Sequence, residues 1–196
     1  MDTKERIILG AESVIYKKGF TALTFKTISE IISIQKARIH ELFPTKEELG
    51  RAVIEKSRKT FLDWSRQIDR SGLKATEKLS AFFASYTTML ADGNKVCIAG
   101  ILGTELNNLP QSILNELRNY YMDRQKWLKK LLLEGYVNGC FLLKNSVEEE
   151  SIYILSSLQG GLQITRTNDD HDIFFTICRQ LLSQLVRQPQ AVMFKI

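Results

Sequence analysis

Cysteine, proline and histidine are scarce in this 196-residue chain, and their scarcity excludes several classes of protein. The three cysteines, Cys97, Cys140 and Cys178, form no Cys-x-x-Cys pair, which argues against a disulfide scaffold or a zinc knuckle. We expect buried, reduced thiols. Two histidines and three scattered cysteines give no convincing Ser-His-Asp or Cys-His arrangement, and no glycine-rich phosphate loop is present. The sequence therefore predicts a protein that is not an enzyme and that holds no metal or cofactor.

Long apolar runs are missing as well. No segment has about 18 uninterrupted apolar residues, the length that a membrane-spanning helix needs. The first eight residues lack the basic-then-apolar order of a secretion signal. We therefore expect a cytoplasmic protein without a membrane partner.

Only three prolines and eleven glycines punctuate the chain, and alternating strand-like runs are rare. Because 44% of the residues are hydrophobic, the chain can still build a core. These features predict an all-α fold of about nine helices. Two short helices are predicted within residues 24–42, and apolar periodicity, caps and breaks place the other helices over residues 3–18, 46–69, 74–92, 96–107, 111–138, 147–166 and 169–187.

The stretch from Thr24 to Leu49 has the pattern of a helix-turn-helix. Its first part repeats isoleucine at helical spacing, at positions 28, 31 and 32. We expect Phe20 to fill a small core with Ile28, Ile31, Leu42 and Phe43. The next segment, residues 35–42, is polar and basic around Ile39, as in a helix with one buried side. Phe43-Pro44 then ends the second helix, and Thr45 to Glu48 reads as a capping box that opens a third.

Positive charge is concentrated in the same part of the chain. The net charge is +5, and residues 1–70 hold 14 Lys/Arg against 10 Asp/Glu. This excess is too small to indicate nucleic-acid binding by itself, but it coincides with the helix-turn-helix.

This stretch resembles the DNA-binding signature of TetR-type transcriptional regulators. The most specific part is the run Phe43-Pro-Thr-Lys-Glu-Glu-Leu49, preceded by Ile34 and Gln35-Lys36 at matching places. The resemblance covers the whole chain and is strongest over residues 3–54. The sequence departs from the family pattern at three positions, with Ser33 in place of a turn glycine, His40 in place of a tyrosine, and Leu42 in place of a polar or aromatic residue.

The resemblance implies a homodimer whose subunits have two parts. Residues 1–48 would form the helix-turn-helix DNA-binding domain, and residues 49–196 the effector-binding and dimerisation domain. The expected function is that of a repressor which a small-molecule effector releases from a near-palindromic operator in double-stranded DNA. The alternative is a helical small-molecule carrier or interaction protein with a degenerate helix-turn-helix.

Within the second helix of the motif, Arg38 can pair with guanine and Gln35 with adenine, while Lys36 suits a phosphate contact. An isolated arginine or glutamine is by default a solvated surface residue, so the surrounding motif carries this prediction. Thr24 is the expected N-cap of the first helix and a candidate phosphate contact. The full set of predicted DNA-binding residues is Thr24, Lys26, Gln35, Lys36, Ala37, Arg38, His40, Thr45 and Lys46.

His40 has two interpretations. An imidazole can donate to a phosphate, and more strongly when it is protonated at mildly acidic pH, which predicts tighter DNA binding there. The competing interpretation is that His40 only packs beside Phe43.

The remaining predictions concern the larger domain and follow from the usual pocket and dimer helices of the family. Apolar residues at helical spacing also form ordinary core, so both interpretations stay open for them. The residues predicted to contact an effector are Phe82, Phe83, Tyr86, Glu105, Tyr121, Trp127 and Gln163. The residues predicted at the dimer interface are Ile152, Leu155, Gln159, Leu162, Phe174, Ile177, Leu181 and Leu185.

The run from Asp169 to Asp172 has the composition of a metal site. Acidic residues at the start of a helix more commonly serve as caps and partners of the helix dipole. We favour capping.

Overall fold

The structure is a computed structural model that describes residues 2–91 and 97–186. In these ranges the chain is helical and has one isolated β-bridge, between Phe141 and Val186. The elements are α1 (Thr3–Lys18), α2 (Phe25–Ile32), α3 (Lys36–Leu42), α4 (Lys46–Arg70), α5 (Ala75–Ala91), α6 (Ile98–Leu102), a 3-10 helix (Gly103–Asn108), α7 (Gln111–Val137), α8 (Val147–Asn168) and α9 (His171–Leu185).

The predicted all-α fold is confirmed, and most helix ends fall within two residues of their predicted positions. One prediction was wrong: instead of a single helix over 96–107, a short α-helix is followed by a 3-10 helix. Within the 3-10 helix, Glu105 has a φ of −109° and a ψ of 16°, which are not helical angles and mark a kink. The predicted break at Asp92–Asn94 lies outside the described residues.

The chain divides into two compact units. Unit 1 comprises Met1–Phe61 and Ile98–Met122, and unit 2 comprises Leu62–Cys97 and Asp123–Ile196. Helix α4 therefore contributes residues 46–61 to unit 1 and 62–70 to unit 2, and α7 is shared in the same way. The functional boundary after residue 48 stays a prediction.

Unit 1 is built on the apolar face of α1 and the short helices that follow it. Gly10 allows α2 to approach closely, because a Cβ atom at this position would lie 2.8 Å from Ile32. Phe20 is buried in this core as predicted, but Ile31, which shares the isoleucine pattern, is 53% exposed. Only one side of the eight-residue α2 meets α1, and Ile31 lies off that side. The core residues of this unit include Ile7, Ala11, Val14, Ile15, Phe20, Leu23, Ile28, Ile39, Phe43, Leu49 and Val53.

Unit 2 packs α5 against α8 and α9. Helix α8 begins with a reciprocal capping box in which Ser146 accepts from the backbone N–H of Glu149, while the Glu149 side chain accepts from the N–H of Ser146. The partly buried Lys78–Glu134 pair, 2.8 Å apart, joins α5 to α7. Among the described residues, no helix combines the length and apolar character required to span a membrane.

Candidate nucleic-acid interface

Thr24 is the N-cap of α2, the first helix of the motif. Its backbone is extended, with φ −135° and ψ 152°, and its hydroxyl accepts a hydrogen bond from the N–H of Thr27 at 3.1 Å. This satisfies one of the N–H groups that a helix start leaves without an intrahelical partner. The predicted cap is confirmed. Lys26 is exposed in the first turn of the same helix.

Ser33 forms the tight turn between α2 and α3 in a left-handed conformation, with φ 54° and ψ 46°. Glycine adopts this conformation without strain, whereas a residue with a Cβ does so at a cost of about 1 kcal/mol. Arg6 supports the turn because its Nη2 donates to the carbonyl of Ile32 at 2.9 Å. The turn therefore keeps its shape although serine replaces the usual glycine.

Helix α3 is held to unit 1 by Ile39, whose side chain is fully buried. Gln35 stands at the N-cap position and makes no side-chain cap hydrogen bond. The surrounding positions point to solvent, so α3 has one anchored side and one open side. The predicted base-contact and phosphate-contact residues on or beside α3 are all exposed: Gln35, Lys36, Ala37, Arg38 and His40.

Arg38 has an ion-pair partner that was not predicted from the sequence. Its Nη1 lies 2.6 Å from Oε2 of Glu41, and both side chains are about half exposed. The two residues are three positions apart on one helix, a spacing at which opposite charges meet. This spacing is the sequence signal that could have revealed the pair.

The ring of His40 contacts Phe25 edge-on, with centroids 5.8 Å apart and an interplanar angle of 87°. His40 remains exposed. An aromatic contact thus exists, as the packing interpretation requires, but with Phe25. The imidazole also stays open to solvent, as a phosphate contact requires.

Thr45 immediately precedes α4, and Lys46 is the first residue of that helix. The Thr45 hydroxyl accepts from the N–H of Glu48 at 3.1 Å, which is one half of the predicted capping box. Lys46 is turned toward the protein: its Nζ donates to the carbonyl of Thr21 at 3.1 Å and lies 4.5 Å from the centroid of the Phe20 ring. Burial lowers the pKa of Lys46, and the negative charge of Glu105 opposes this shift.

Glu105 lies in unit 1, away in the chain from the residues that it contacts. Its carboxylate accepts from the backbone N–H of Phe20 at 2.8 Å and from the N–H and hydroxyl of Thr21 at 2.9 and 2.5 Å. Its predicted contact with an effector stays untested. No local sequence pattern could have revealed these bonds, because more than 80 residues separate the partners.

The predicted effector-contact residues are divided between the two units. In unit 2, the rings of Phe82, Tyr86 and Trp127 pack together with Trp64, and the centroids of Phe82 and Trp127 are 5.3 Å apart. Phe83 is buried beside them in α5, and Gln163 is partly exposed on α8. Tyr121 lies in unit 1, with an exposed fraction of 36%. These effector contacts stay predictions.

The predicted dimer residues also differ in their surroundings. Ile152 is 55% exposed, and Gln159 and Ile177 are half-buried. The other five are buried within their own subunit, which leaves them little surface for a partner: Leu155, Leu162, Phe174, Leu181 and Leu185. The apolar residues that α8 does expose are Ile152, Tyr153 and Ile164. The interface itself stays a prediction.

The acidic run at residues 169–172 joins α8 to α9. Asp169 ends α8 in a left-handed conformation with φ 52°. The Asp170 side chain accepts from the N–H of Asp172 at 3.0 Å and so caps α9. Asp170 therefore has the capping role that the sequence favoured.

Solved structures of other proteins have the same architecture. No family profile matches the chain. A TetR transcriptional regulator of known structure from Legionella pneumophila is 33% identical, with a TM-score of 0.85 over 94% of this chain and 97% of that chain. A TetR-family regulator from Agrobacterium tumefaciens has a TM-score of 0.89 over 93% of this chain and 97% of that chain at 22% identity, which shows a shared fold.

Curated relatives are more distant in sequence. The HTH-type transcriptional repressor DhaR from Mycobacterium sp. (strain GP1) is 22% identical over 186 residues, which is 91% of either chain. A helical carrier with a degenerate helix-turn-helix is not favoured, because the motif is complete here and the relatives are regulators. With one third of its residues identical to the Legionella pneumophila regulator along nearly the whole of both chains, this chain belongs to the TetR family of DNA-binding transcriptional regulators.

Proposed function

We propose that this regulator is a repressor that inserts α3 into the major groove of its operator. The observation that carries the proposal is the asymmetry of α3, in which Ile39 is buried while Gln35, Lys36, Arg38 and His40 face solvent. Arg38 and Gln35 would read bases, and Lys36 would contact phosphate. Residues 1–48 would form the DNA-binding domain and residues 49–196 the effector-binding and dimerisation domain. The protein would work in the cytoplasm, by binding and not by catalysis.

Two copies would bind one operator. In a two-fold dimer of helix-turn-helix proteins, the reading helices lie about 34–36 Å apart, in successive major grooves. The bound DNA would therefore carry two inverted half-sites. Selection of bound fragments from random duplex DNA tests this proposal. We expect enrichment of an inverted repeat, and the recovery of fragments without a shared sequence would contradict it.

The exposed side of α8 supports the dimer proposal. Ile152, Ser156, Gly160 and Ile164 recur every four residues and are all exposed, and Tyr153 lies beside them. The side chains of Ser156 and Gly160 are small enough to let another helix approach. This α8 face, defined by the five residues, would pair with its copy in the other subunit.

A matched pair of variants tests the α8 face. Ile164 on α8 and Leu133 on α7 are each 52% exposed, so a glutamate at either position places the same charge on an equally open surface. Ile164→Glu should convert the dimer to a monomer in analytical ultracentrifugation, whereas Leu133→Glu should leave it a dimer. A dimer that survives Ile164→Glu unchanged would exclude the α8 face.

The effector would enter unit 2 at the aromatic cluster of Trp64, Phe82, Tyr86 and Trp127. Both tryptophans of the chain lie in this cluster, so intrinsic fluorescence reports on it directly. Trp127 Nε1 donates to Asp69 at 3.1 Å, which gives the indole one fixed polar partner. A ligand that rearranges the cluster should change the tryptophan emission.

Effector and operator would be coupled reciprocally. If a ligand weakens operator binding by some factor, the operator must weaken ligand binding by the same factor. Fluorescence titration of a candidate ligand with and without selected operator DNA measures this factor. Equal ligand affinities in the two titrations would rule out induction by that ligand.

A further inference from the structure

The turn between α1 and α2 is closed by a side chain from a distant part of the chain. Three donors converge on the Glu105 carboxylate: the N–H groups of Phe20 and Thr21 and the Thr21 hydroxyl, at 2.5 to 2.9 Å. Hydrogen bonds to an ionised acceptor are about twice as strong as those between neutral groups. Residues 19–21 and Glu105 together form the Glu105 clasp.

Gly19 makes room for the clasp. It ends α1 with φ 78°, in the region where glycine is the favoured residue. A Cβ atom at this position would also lie 2.0 Å from Oε1 of Glu105. Backbone conformation and close approach therefore both call for glycine, and the turn fits the carboxylate closely.

The environment keeps Glu105 ionised. Burial alone would raise the pKa of Glu105, but the hydrogen bonds from Thr21 and Phe20 and the charge of Lys46 outweigh burial and lower the pKa. The Lys46 ammonium is held in turn by the Thr21 carbonyl and the Phe20 ring. The Glu105 carboxylate and the Lys46 ammonium, which have opposite charges, thus both bind the turn formed by Phe20 and Thr21.

The clasp reaches the DNA-binding motif on both sides. The turn leads through Leu23 to Thr24, the cap of α2, and Lys46 is the first residue of α4, just after α3. The entry to α2 and the exit from α3 therefore share one set of contacts. A change in that set would alter the orientation of α3 within unit 1.

We infer that Glu105 is a positioning residue for DNA binding, which orients α3 by closing the turn at residues 19–21 and by holding Lys46 against it. This inference rests on the proposed function, since it assigns Glu105 a part in operator recognition. Glu105 itself need not touch DNA. Its effect would pass through the backbone of Phe20 and Thr21.

The test compares Glu105→Gln with Glu116→Gln. The first substitution removes the charge and replaces one of the two accepting oxygens by an NH2 group, which cannot accept a hydrogen bond from the N–H that it faces. The second makes the same chemical change in the partly buried Arg58–Glu116 pair of unit 1, in which Nη1 of Arg58 lies 2.5 Å from Oε2 of Glu116. Neither residue of this pair belongs to the clasp. Both variants are compared with wild type well below their melting temperatures, on DNA fragments selected by wild type.

We expect Glu105→Gln to weaken binding to the selected DNA about tenfold, equivalent to ~1.4 kcal/mol, while Glu116→Gln binds like wild type. In two-dimensional NMR spectra of the DNA-free protein, Glu105→Gln should shift the amide resonances of α3 as well as those of Phe20 and Thr21. A purely local stabilising role would leave the α3 resonances in place.

Equal affinities of wild type and Glu105→Gln would overturn the inference, as would an equal loss in both variants or α3 resonances that do not move. If wild type itself selects no DNA, the proposed function fails. The NMR comparison still decides in that case whether Glu105 orients α3.

Discussion

Nη1 of Arg38 lies 2.6 Å from Oε2 of Glu41 on the open side of α3. The pair is exposed, so its contribution to stability is expected to be below about 1 kcal/mol. Its consequence concerns binding, because the guanidinium predicted to read a base is partly neutralised in the free protein. DNA must therefore compete with Glu41 for Arg38.

Replacing Arg38 tests its assignment to a base. Arg38→Ala should weaken binding to the selected operator by about 1–3 kcal/mol per half-site and relax selectivity at one base position in each half-site. Glu41→Gln is the paired variant and should tighten binding, because it frees the guanidinium and removes a negative charge facing phosphates. Binding measured on a panel of single-base operator variants distinguishes the outcomes. An equal loss on every sequence would instead make Arg38 a phosphate contact.

Lys36 and Lys46 should differ in the salt dependence of binding. Lys36 is exposed, whereas the ammonium of Lys46 is occupied by Thr21 and Phe20. Lys36→Met should reduce the slope of log affinity against log salt by about 2, because each of the two bound subunits loses one phosphate contact and each contact contributes about 1. Lys46→Met should leave that slope nearly unchanged and lower the melting temperature. A reduced slope in Lys46→Met would instead support the phosphate contact that the sequence predicted for Lys46.

His40 should make operator affinity depend on pH. An imidazolium donates more strongly to phosphate than a neutral ring does, so wild type should bind more tightly at pH 6 than at pH 8. His40→Phe keeps an aromatic ring for the edge contact with Phe25 and should show a flatter profile. His171, the other histidine, remains in both proteins and serves as the internal control. Parallel pH profiles would assign His40 to packing alone.

The Glu105 clasp should contribute to stability at neutral pH and lose that contribution in acid. The folded-state pKa of Glu105 lies below the ordinary value of 4.5. A carboxyl group of this kind stabilises the fold fully above its unfolded-state pKa, and the contribution is lost as the pH falls through the folded-state pKa.

Urea denaturation between pH 7 and pH 3.5 measures the effect. The unfolding free energy of wild type should fall more steeply toward acid than that of Glu105→Gln, which has no carboxyl group to protonate at this site. If the unfolding free energies of wild type and Glu105→Gln fall equally toward acid pH, the clasp does not bind the ionised carboxylate in solution.

Two glycines in helix interiors should respond in opposite ways to alanine. A Cβ atom at Gly135 would lie 2.0 Å from the ring of Phe141, which is almost fully buried and has no space to move into. Gly135→Ala should therefore destabilise the fold by about 1–3 kcal/mol. Gly160 has no atom within 4 Å of an added Cβ, so Gly160→Ala should stabilise the subunit by up to about 1 kcal/mol.

Thermal unfolding of the two glycine variants shows directly whether each substitution stabilises or destabilises the fold. A loss of stability in Gly160→Ala that grows weaker on dilution would mean that the α8 face of a partner approaches the backbone there. Stabilisation by Gly135→Ala would contradict the packing of Phe141 against α7.

Most of the helical architecture could be predicted from local patterns. The cap at Thr24, the helix end at Phe43-Pro44 and the long α4 from Lys46 each depend on a few neighbouring residues, and the structure has them where the sequence placed them. The interrupted segment at residues 98–108 was mispredicted as one helix. Within this segment Glu105 is bonded to Phe20 and Thr21, more than 80 residues away, and no local pattern contains such contacts.

The sequence by itself determined where helices begin and end and that a helix-turn-helix opens the chain, because capping, periodicity and proline act over a few residues. The tertiary structure decided which apolar residues are covered and which polar groups meet. Ile28 is buried but Ile31 is exposed, and Lys46 faces Thr21. Burial and long-range hydrogen bonds depend on which elements lie side by side, and that neighbourhood exists only once the chain has folded.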